Sequence, residues 1–433
     1  MRRRAFTMAA LLSLAMTAAG IGMISAAGET GTADFVPALD TELETTVYVI
    51  GGYDNFPSLE QVAADFQEFY PNVTISYEKL DSYNDVVAER VYSNEEADIF
   101  MTGRSAVVKD GLLHDAALDL TQTDLDLSNV NDRILGSEMT EDGELLRMPL
   151  YISTNGLLVN KTLLEKEGLE LPTNYAEFSA CCEALKEAGY TPIYSYKGIR
   201  VAEALIRNLA LAQAAAQNED GSAQEAVHSG AEGSAEYFRP ALERLKEILD
   251  QGWMDEEKNA AIEDGYNAAI LRFFEGDVPF MTANGTTRSG CQKRESESEA
   301  FTANPFEYSF IVTPSGDDGA YTYIDIDTGL AVNKNSENLD YALEFMRFYC
   351  TIDELNKSAD AKGMMSPAEN ASIDIYPDID LTNEELTVYR EDFYLDVTDN
   401  TALNNAFMAI TEDQKSVDEA IKIYYQTFEE AQS

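Results

Sequence analysis

The chain has 433 residues, room for two to three domains of about 100 to 200 residues each. Thirty Lys and Arg stand against 78 Asp and Glu, a formal charge of -48, which repels phosphate backbones and anionic lipid head groups and so excludes nucleic acid and membrane-surface partners. With 45% hydrophobic and 25% charged residues the composition is that of a folded soluble protein, and neutral, polyhydroxylated or cationic ligands remain compatible with it.

Arg2, Arg3 and Arg4 precede an apolar run over residues 5–24 and the small residues Ser25, Ala26 and Ala27, which predicts a secretory signal peptide over 1–27. Residues 28–44, rich in Gly, Thr and acid, read as a flexible leader. No later stretch reaches about 18 uninterrupted apolar residues, so no further membrane span is expected. A strand over 45–50 runs into Gly51, Gly52, Tyr53, Asp54 and Asn55, and a helix starts near Ser58. Its apolar residues Leu59, Val62, Ala63, Phe66, Phe69 and Tyr70 recur at helical spacing before Pro71. A second strand over 73–77, a helix over 83–92 and a short strand over 97–101 follow, the last opening onto Thr102, Gly103, Arg104 and Ser105. Strands alternating with helices predict a parallel sheet, whose ligands sit in loops at the carboxyl ends of the strands.

A second block begins with the strand Leu157, Leu158 and Val159 and a helix near 162–167. Thr173 or Asn174 caps the next helix, which stops at Gly189 and places Phe178, Cys181, Cys182 and Leu185 on one buried stripe. Then come a strand and loop over 190–196, one Ala-rich helix over 201–217, and a Gly, Ser, Ala and acid-rich stretch over 219–236 that reads as an exposed insertion. Helices over 237–251 and 262–275 end at Gly252 and Gly276; strands follow over 278–282, 308–312 and 321–332, and an amphipathic helix over 339–349. No repeat of 20 to 50 residues is visible.

The four cysteines, Cys181, Cys182, Cys291 and Cys350, would travel to a compartment that permits disulfides, yet their spacing demands none. With no CxxC and only His114 and His228, zinc-finger and His-rich metal sites are excluded, and no cofactor is expected. GxSxG, GxGxxG, GxxxxGK[ST] and HExxH are all absent, so no catalytic residues are assigned. The run from Asp124 to Ser128 fails as a calcium loop, with Asn129 at position six and Leu135 at position twelve. Asp325 and Asp327 would fit a glycosidase pair, but close pairs are expected by chance among so many acids.

Several segments together resemble a known family. They are Pro149-Leu150-Tyr151 with Asn155-Gly156-Leu157-Leu158-Val159-Asn160-Lys161, which is similar to a crossover ending in "Y-N-K"; Leu171-Pro172-Thr173-Asn174-Tyr175-Ala176-Glu177-Phe178, similar to "P-x-T-W-x-E-F"; and Ala188-Gly189-Tyr190-Thr191-Pro192-Ile193. Phe274-Glu275-Gly276-Asp277 with Met281-Thr282-Ala283-Asn284-Gly285 is similar to "F-x-x-G-x-x-A-M-x-x-x-G-x-W", and Gly329-Leu330-Ala331-Val332-Asn333-Lys334-Asn335-Ser336 completes the set. In this order the chain resembles the family 1 extracellular solute-binding proteins, the carbohydrate-type receptors of ABC importers that include maltose-binding protein.

The resemblance implies an α/β, two-lobe periplasmic-binding-protein-like (type II) fold, each lobe a mostly parallel sheet flanked by helices and joined by hinge crossovers. Residues 45–152 plus 328–372 would form the first lobe and 153–327 plus 373–433 the second. It implies a non-enzymatic, monomeric, exported receptor that passes a sugar or oligosaccharide to ABC permease subunits. Sugar hydroxyls need amide and carboxylate partners and pyranose faces need aromatic rings. On that requirement and on loop position the ligand-binding candidates are Tyr53, Asp54, Asn55, Tyr83, Thr102, Gly103, Arg104, Tyr151, Asn155, Tyr196, Asn284, Gly285, Thr287 and Asp327, with Tyr194 and Asp325 beside them. The chain departs from the family in having Thr287 where an aromatic is common, so tyrosines must supply any stacking, and the single Trp253 is expected to pack behind a helix end. No cysteine precedes Cys181, so no lipobox is present and lipidation is not expected. The other readings are the same fold binding a solute such as a polyamine, and a secreted glycosidase with two carboxylates facing across a cleft.

Overall fold

The structure is a computed structural model that describes residues 35–54, 56–103, 111, 113–140, 142–262, 265–371, 376–379, 381 and 383–431, without the side chains of 198 and 199. The expected signal peptide and the candidates Asn55 and Arg104 lie outside these residues. β1 (Thr45–Gly51) is a run of β-branched and aromatic residues in which Val47 and Val49 on one face and Ile50 on the other are fully buried. It pairs in parallel with β2 (Val73–Lys79), Thr45 opposite Val73, and with β3 (Ile99–Thr102), Val49 opposite Ile99. The helix Pro57–Gln67 starts with a proline in its first turn, where no backbone N–H is missed, and buries Leu59, Val62 and Phe66 along one stripe.

The chain then changes sheets. β4 (Met148–Ser153) belongs to the first sheet and β5 (Asn155–Asn160) to the second, with Thr154 alone between them. The second sheet adds β6 (Ile193–Tyr194), β7 (Phe280–Asn284) and β8 (Tyr308–Ile311) in the order β6-β7-β5-β8. The long β9 (Thr322–Val332) returns to the first sheet, which reads β10-β9-β3-β1-β2 with β4 also on β9 and β10 formed by Thr387–Tyr389. A parallel first sheet was the expectation; the observed sheet is mixed, because β9 runs antiparallel to both β3 and β4. The second sheet is mainly antiparallel, β5 opposing both β7 and β8, with only β6 and β7 parallel.

Each sheet has an apolar core of its own. Ile50, Val87, Val91, Phe100, Leu146 and Ala331 pack under the first. Leu157, Phe178, Trp253 and Phe280 pack under the second, together with Leu403, Phe407 and Tyr424 of the C-terminal helices Val397–Thr411 and Val417–Ala431. Tyr323 of β9 and Val388 of β10 join that second core, so β9 begins against one body and ends in the sheet of the other. Trp253 packs as expected behind a helix end: its ring meets Phe178 edge-on at 6.1 Å and its Nε1–H donates to Glu183 at 2.5 Å. Each such ring contributes about 1.5 to 3 kcal/mol through burial.

The four cysteines are free and buried, Cys181 and Cys182 on the inner face of the helix Tyr175–Glu187 as the spacing predicted. Three expectations change. The stretch 219–236 holds the helix Ser222–His228 and a 3₁₀ turn, Ser234–Tyr237, that bury Ala223, Val227, Ser234 and Ala235, so it is part of the core rather than an exposed insertion. The single helix over 201–217 is two, Gly198–Leu205 and Arg207–Ala215, parted where Ile206 turns to φ -132°. The leader is tied down from Val36: Ala38 N–H donates to Glu344 and to Tyr70, Leu39 N–H to Tyr70, and Arg347 to the Val36 carbonyl. Among the described residues no helix is long and apolar enough to cross a membrane.

Candidate functional site

The step from β4 to β5 places side chains from both sheets within reach of one another. Ser153 lies opposite Asp325 of β9, while Asn155 lies opposite Asn284 of β7. Asn208 fixes this step by donating to the Thr154 hydroxyl at 3.0 Å and to the Asn155 carbonyl at 3.1 Å. Around it opens a polar cavity of about 150 Å³ whose walls include Ser153, Asn155, Asn284, Asp325 and Asp327, with Arg200, Glu203, Arg207, Asn400 and Asn404 from neighbouring helices. Asn284 Oδ1 accepts from the Thr286 and Thr287 hydroxyls at 2.7 and 2.9 Å, and its amide nitrogen makes no hydrogen bond to a described residue. The Asn155 carboxamide is likewise unengaged among the described residues, so two adjacent planar amides stand ready for hydroxyl partners. Glu203 is committed to Arg200 at 2.7 Å, and Arg207 donates to Asn400 at 2.6 Å.

Asp327 links this cavity to the loop after β1. The Thr328 hydroxyl donates to Asp327 at 2.9 Å, so the contact of 2.7 Å between Tyr53 and Thr328 must have the Tyr53 phenol as donor. Burial, reinforced by the Asp327 charge, raises the Tyr53 phenol well above its ordinary value and keeps it protonated. The loop is held from below by Tyr77, whose hydroxyl bonds both the N–H and the carbonyl of Tyr53 at 3.0 Å. Gly51 is required there: a Cβ would lie 2.6 Å from that hydroxyl. Above the Tyr53 ring sits the Lys362 ammonium, 3.5 Å from the ring centroid.

Arg147 shapes the neighbouring loop. It is buried against the equally buried Glu138, bonds the Gly103 carbonyl, and reaches the Thr102 hydroxyl at 3.2 Å. Thr102 itself is buried and donates to the Gly329 carbonyl, whereas Gly103 is exposed with open space around its Cα. The Tyr83 phenol donates to the Met101 carbonyl at 2.5 Å, and burial raises its pKa.

The structure thus gathers Asn155, Asn284 and Asp327 about one cavity, with Tyr53 joined to Asp327 through Thr328. Gly285 adjoins them, its N–H donating to Thr154, and Thr287 is buried beneath Asn284. Asp54 stands apart, with its side chain 87% exposed and paired to Lys79. Tyr196 lines a different cavity with Val201, Met254 and Ile410, and Tyr194 is buried under Arg272. Tyr151 departs most from expectation: it is fully buried, its hydroxyl shared with Ser58 and Ser358 at 2.8 Å, because the helix Ile352–Lys362 packs over β4. Sequence reasoning missed Lys362, Tyr376, Arg200, Arg207, Asn400 and Asn404. Tyr376 is telling, since its hydroxyl touches the carbonyls of both Gly285 and Gly363 and so ties the β7 end to the end of the helix Ile352–Lys362.

Asp325 and Asp327 lie on one face of the same strand instead of across a gap. His228 lies with Asp396 and Asp399, their ligand atoms within 4.8 Å of one another. Both of its ring nitrogens are engaged, however, Nδ1 with Asp399 and Nε2 with the Gln224 amide at 2.8 Å. The Gln224 amide is oriented by Tyr394, whose N–H and carbonyl it both bonds, so the His228 Nε2 is an acceptor.

Comparison with known proteins agrees with this architecture. Residues 53–351 match the family model described as bacterial extracellular solute-binding protein. No curated protein sequence matches the chain. Among solved structures, apo RafE from Streptococcus pneumoniae superimposes with a TM-score of 0.70 at 14% identity, covering 90% of this chain and 99% of that one. RafE in complex with raffinose gives 0.67 at 15% identity, covering 90% and 100%. A sugar transporter from Bacillus licheniformis in complex with stachyose gives 0.58 at 17%, covering 88% and 98%. Two sheets with separate cores, a chain that passes between them at Thr154 and along β9, a polar cavity at that passage and a family match over most of its length place this chain among the bacterial extracellular solute-binding proteins.

Proposed function

We propose that the protein is the extracytoplasmic binding component of an ABC importer, which captures a sugar or oligosaccharide between its lobes and presents it to permease subunits without chemical change. The observation that carries this reading is the pair of unengaged carboxamides, Asn155 and Asn284, set in register beside Asp325 and Asp327 in a polar cavity where the two sheets meet. Planar amides and carboxylates are the groups that bond paired sugar hydroxyls. The raffinose and stachyose held by the structural relatives support a saccharide ligand. In this reading residues 45–152 with 328–372 form one lobe and 153–327 with 373–433 the other, and ligand contacts made to both favour the closed state. Tyr53, Asn155, Asn284, Gly285 and Asp327 are the contacts retained from the sequence-based set, and export by the N-terminal segment accounts for the compartment.

Thermal unfolding with raffinose, stachyose, xylo-oligosaccharides and spermidine tests the proposal. A bound saccharide at 100 times its Kd adds about 2.7 kcal/mol, which raises the melting temperature by several degrees. Stabilisation by spermidine alone would replace the saccharide with a polyamine, and release of monosaccharide during incubation would show an enzyme.

A further inference from the structure

Lys362 is out of place in this chain. Acids outnumber bases 78 to 30, and most described Lys and Arg side chains find a carboxylate: Lys79, Arg90, Arg133 and Arg272 each pair with two and Arg239 with three. Lys362 pairs with none and, among the described residues, its three N–H donors meet no acceptor. It stands instead over the Tyr53 ring at 3.5 Å and 5.6 Å from the Phe56 ring. The amine is partly buried at the junction of the two bodies. Its neighbour Gly363 lies so close to the helix Thr286–Arg294 that a Cβ would meet Ser289 at 2.8 Å, and Tyr376 bonds the Gly363 carbonyl at 2.8 Å. The charged groups that act on it are Lys293 from that helix and Asp327 from β9, and Asp327 is engaged by Thr328. Desolvation, then the Lys293 charge, outweigh Asp327 and bring the Lys362 pKa down to about 8.

A desolvated ammonium that faces a second cation and bonds no carboxylate among the described residues lacks an anion partner. We propose that the ligand is an acidic saccharide, carrying a carboxylate or sulfate that Lys362 Nζ binds above the Tyr53 ring with Lys293 closing on it from the other body. This deepens the saccharide reading and rests on it. The anion raises the Lys362 pKa, so binding near pH 8 takes up a fraction of a proton.

Isothermal titration separates the possibilities. Digalacturonate and 4-O-methylglucuronosyl-xylotriose are titrated against the neutral raffinose, stachyose and xylotetraose, with heparin disaccharide to distinguish sulfate from carboxylate. An acidic sugar binds at least about tenfold tighter than the neutral ones, the scale of one charge-assisted hydrogen bond. At pH 8 its apparent enthalpy changes between Tris and phosphate buffers by the signature of proton uptake. Lys362→Gln brings the acidic-to-neutral ratio near one and abolishes the uptake, while Lys362→Arg keeps the ratio. Neutral sugars binding as tightly as acidic ones, or an acidic preference untouched in Lys362→Gln, overturns the proposal and leaves the importer reading standing. Failure of every sugar to bind overturns both.

Discussion

Glu354 offers a sharp test of how burial governs ionisation in the first lobe. It lies in the first turn of the helix Ile352–Lys362, its side chain is 0% exposed, Oε2 has no partner, and Oε1 is 3.3 Å from a Lys357 ammonium that Asp65 also engages. Burial overrides Lys357 and raises the carboxyl from 4.5 to about 7. A carboxyl raised on folding contributes stability that is complete below pH 4.5 and is lost as pH climbs through 7, since only the unfolded chain ionises it freely across that window. The gap is worth about 3.4 kcal/mol at 1.36 kcal/mol per pH unit, and local relaxation reduces this to roughly 2 to 3. Glu354→Gln keeps the shape and removes the ionisation. Urea unfolding of wild type and variant between pH 4.5 and 8.5 should give a difference near zero at the acid end, rising in favour of the variant and levelling above pH 7. Taking the difference cancels every other titrating group. A difference independent of pH, or a variant less stable than wild type at pH 8, would refute the argument.

Other outcomes follow from the same physics. Arg147→Met strands Glu138 in a dry site and should cost about 3 to 5 kcal/mol in calorimetry, while adding Glu138→Leu should recover most of it. Gly363→Ala puts a side chain at φ +70° and 2.8 Å from the Ser289 Cβ, so it should destabilise by more than about 1 kcal/mol by the same measure. Burial would raise Glu344, yet bonds from Arg347, Tyr70 and the Ala38 N–H lower it. Its contribution is therefore present above pH 4.5 and lost as pH falls below that, so hydrogen exchange at Ala38 and Leu39 should accelerate under acid before the strands open.

Elements written by local periodicity were legible in the sequence. The stripe Phe178, Cys181, Cys182 and Leu185 and the alternation of β1 need only near neighbours to be read. The mixed sheet was not, because the antiparallel entry of β9 depends on where a segment far along the chain docks, Gly329 opposite Thr102 and Val332 opposite Ile99, and no local pattern carries direction. Composition misled at 219–236, where Ala223 and Val227, four apart, bury one face of a helix amid Gly, Ser and acid. Loop position brought Tyr53 to Thr328 and Asp327 at the strand end, whereas Tyr151 is fully buried because a helix much later in the chain, Ile352–Lys362, covers it, which no local pattern announces. Lys362 had no local signal at all: a lysine before a C-terminal glycine reads as an ordinary helix end, and only the docking of Tyr53 and the helix Thr286–Arg294 makes it unusual.

The passage through Thr154 and along β9 has a mechanical consequence. Extended backbone already spans close to its full length, about 3.3 Å per residue, so these two ribbons can twist but cannot stretch. They act as a pair of torsion bars fixed at both ends, one at Ser153 and Asn155, the other running from Tyr323 to Val332. Any motion of one sheet against the other is thereby restricted to rotation about these ribbons, beside the polar cavity.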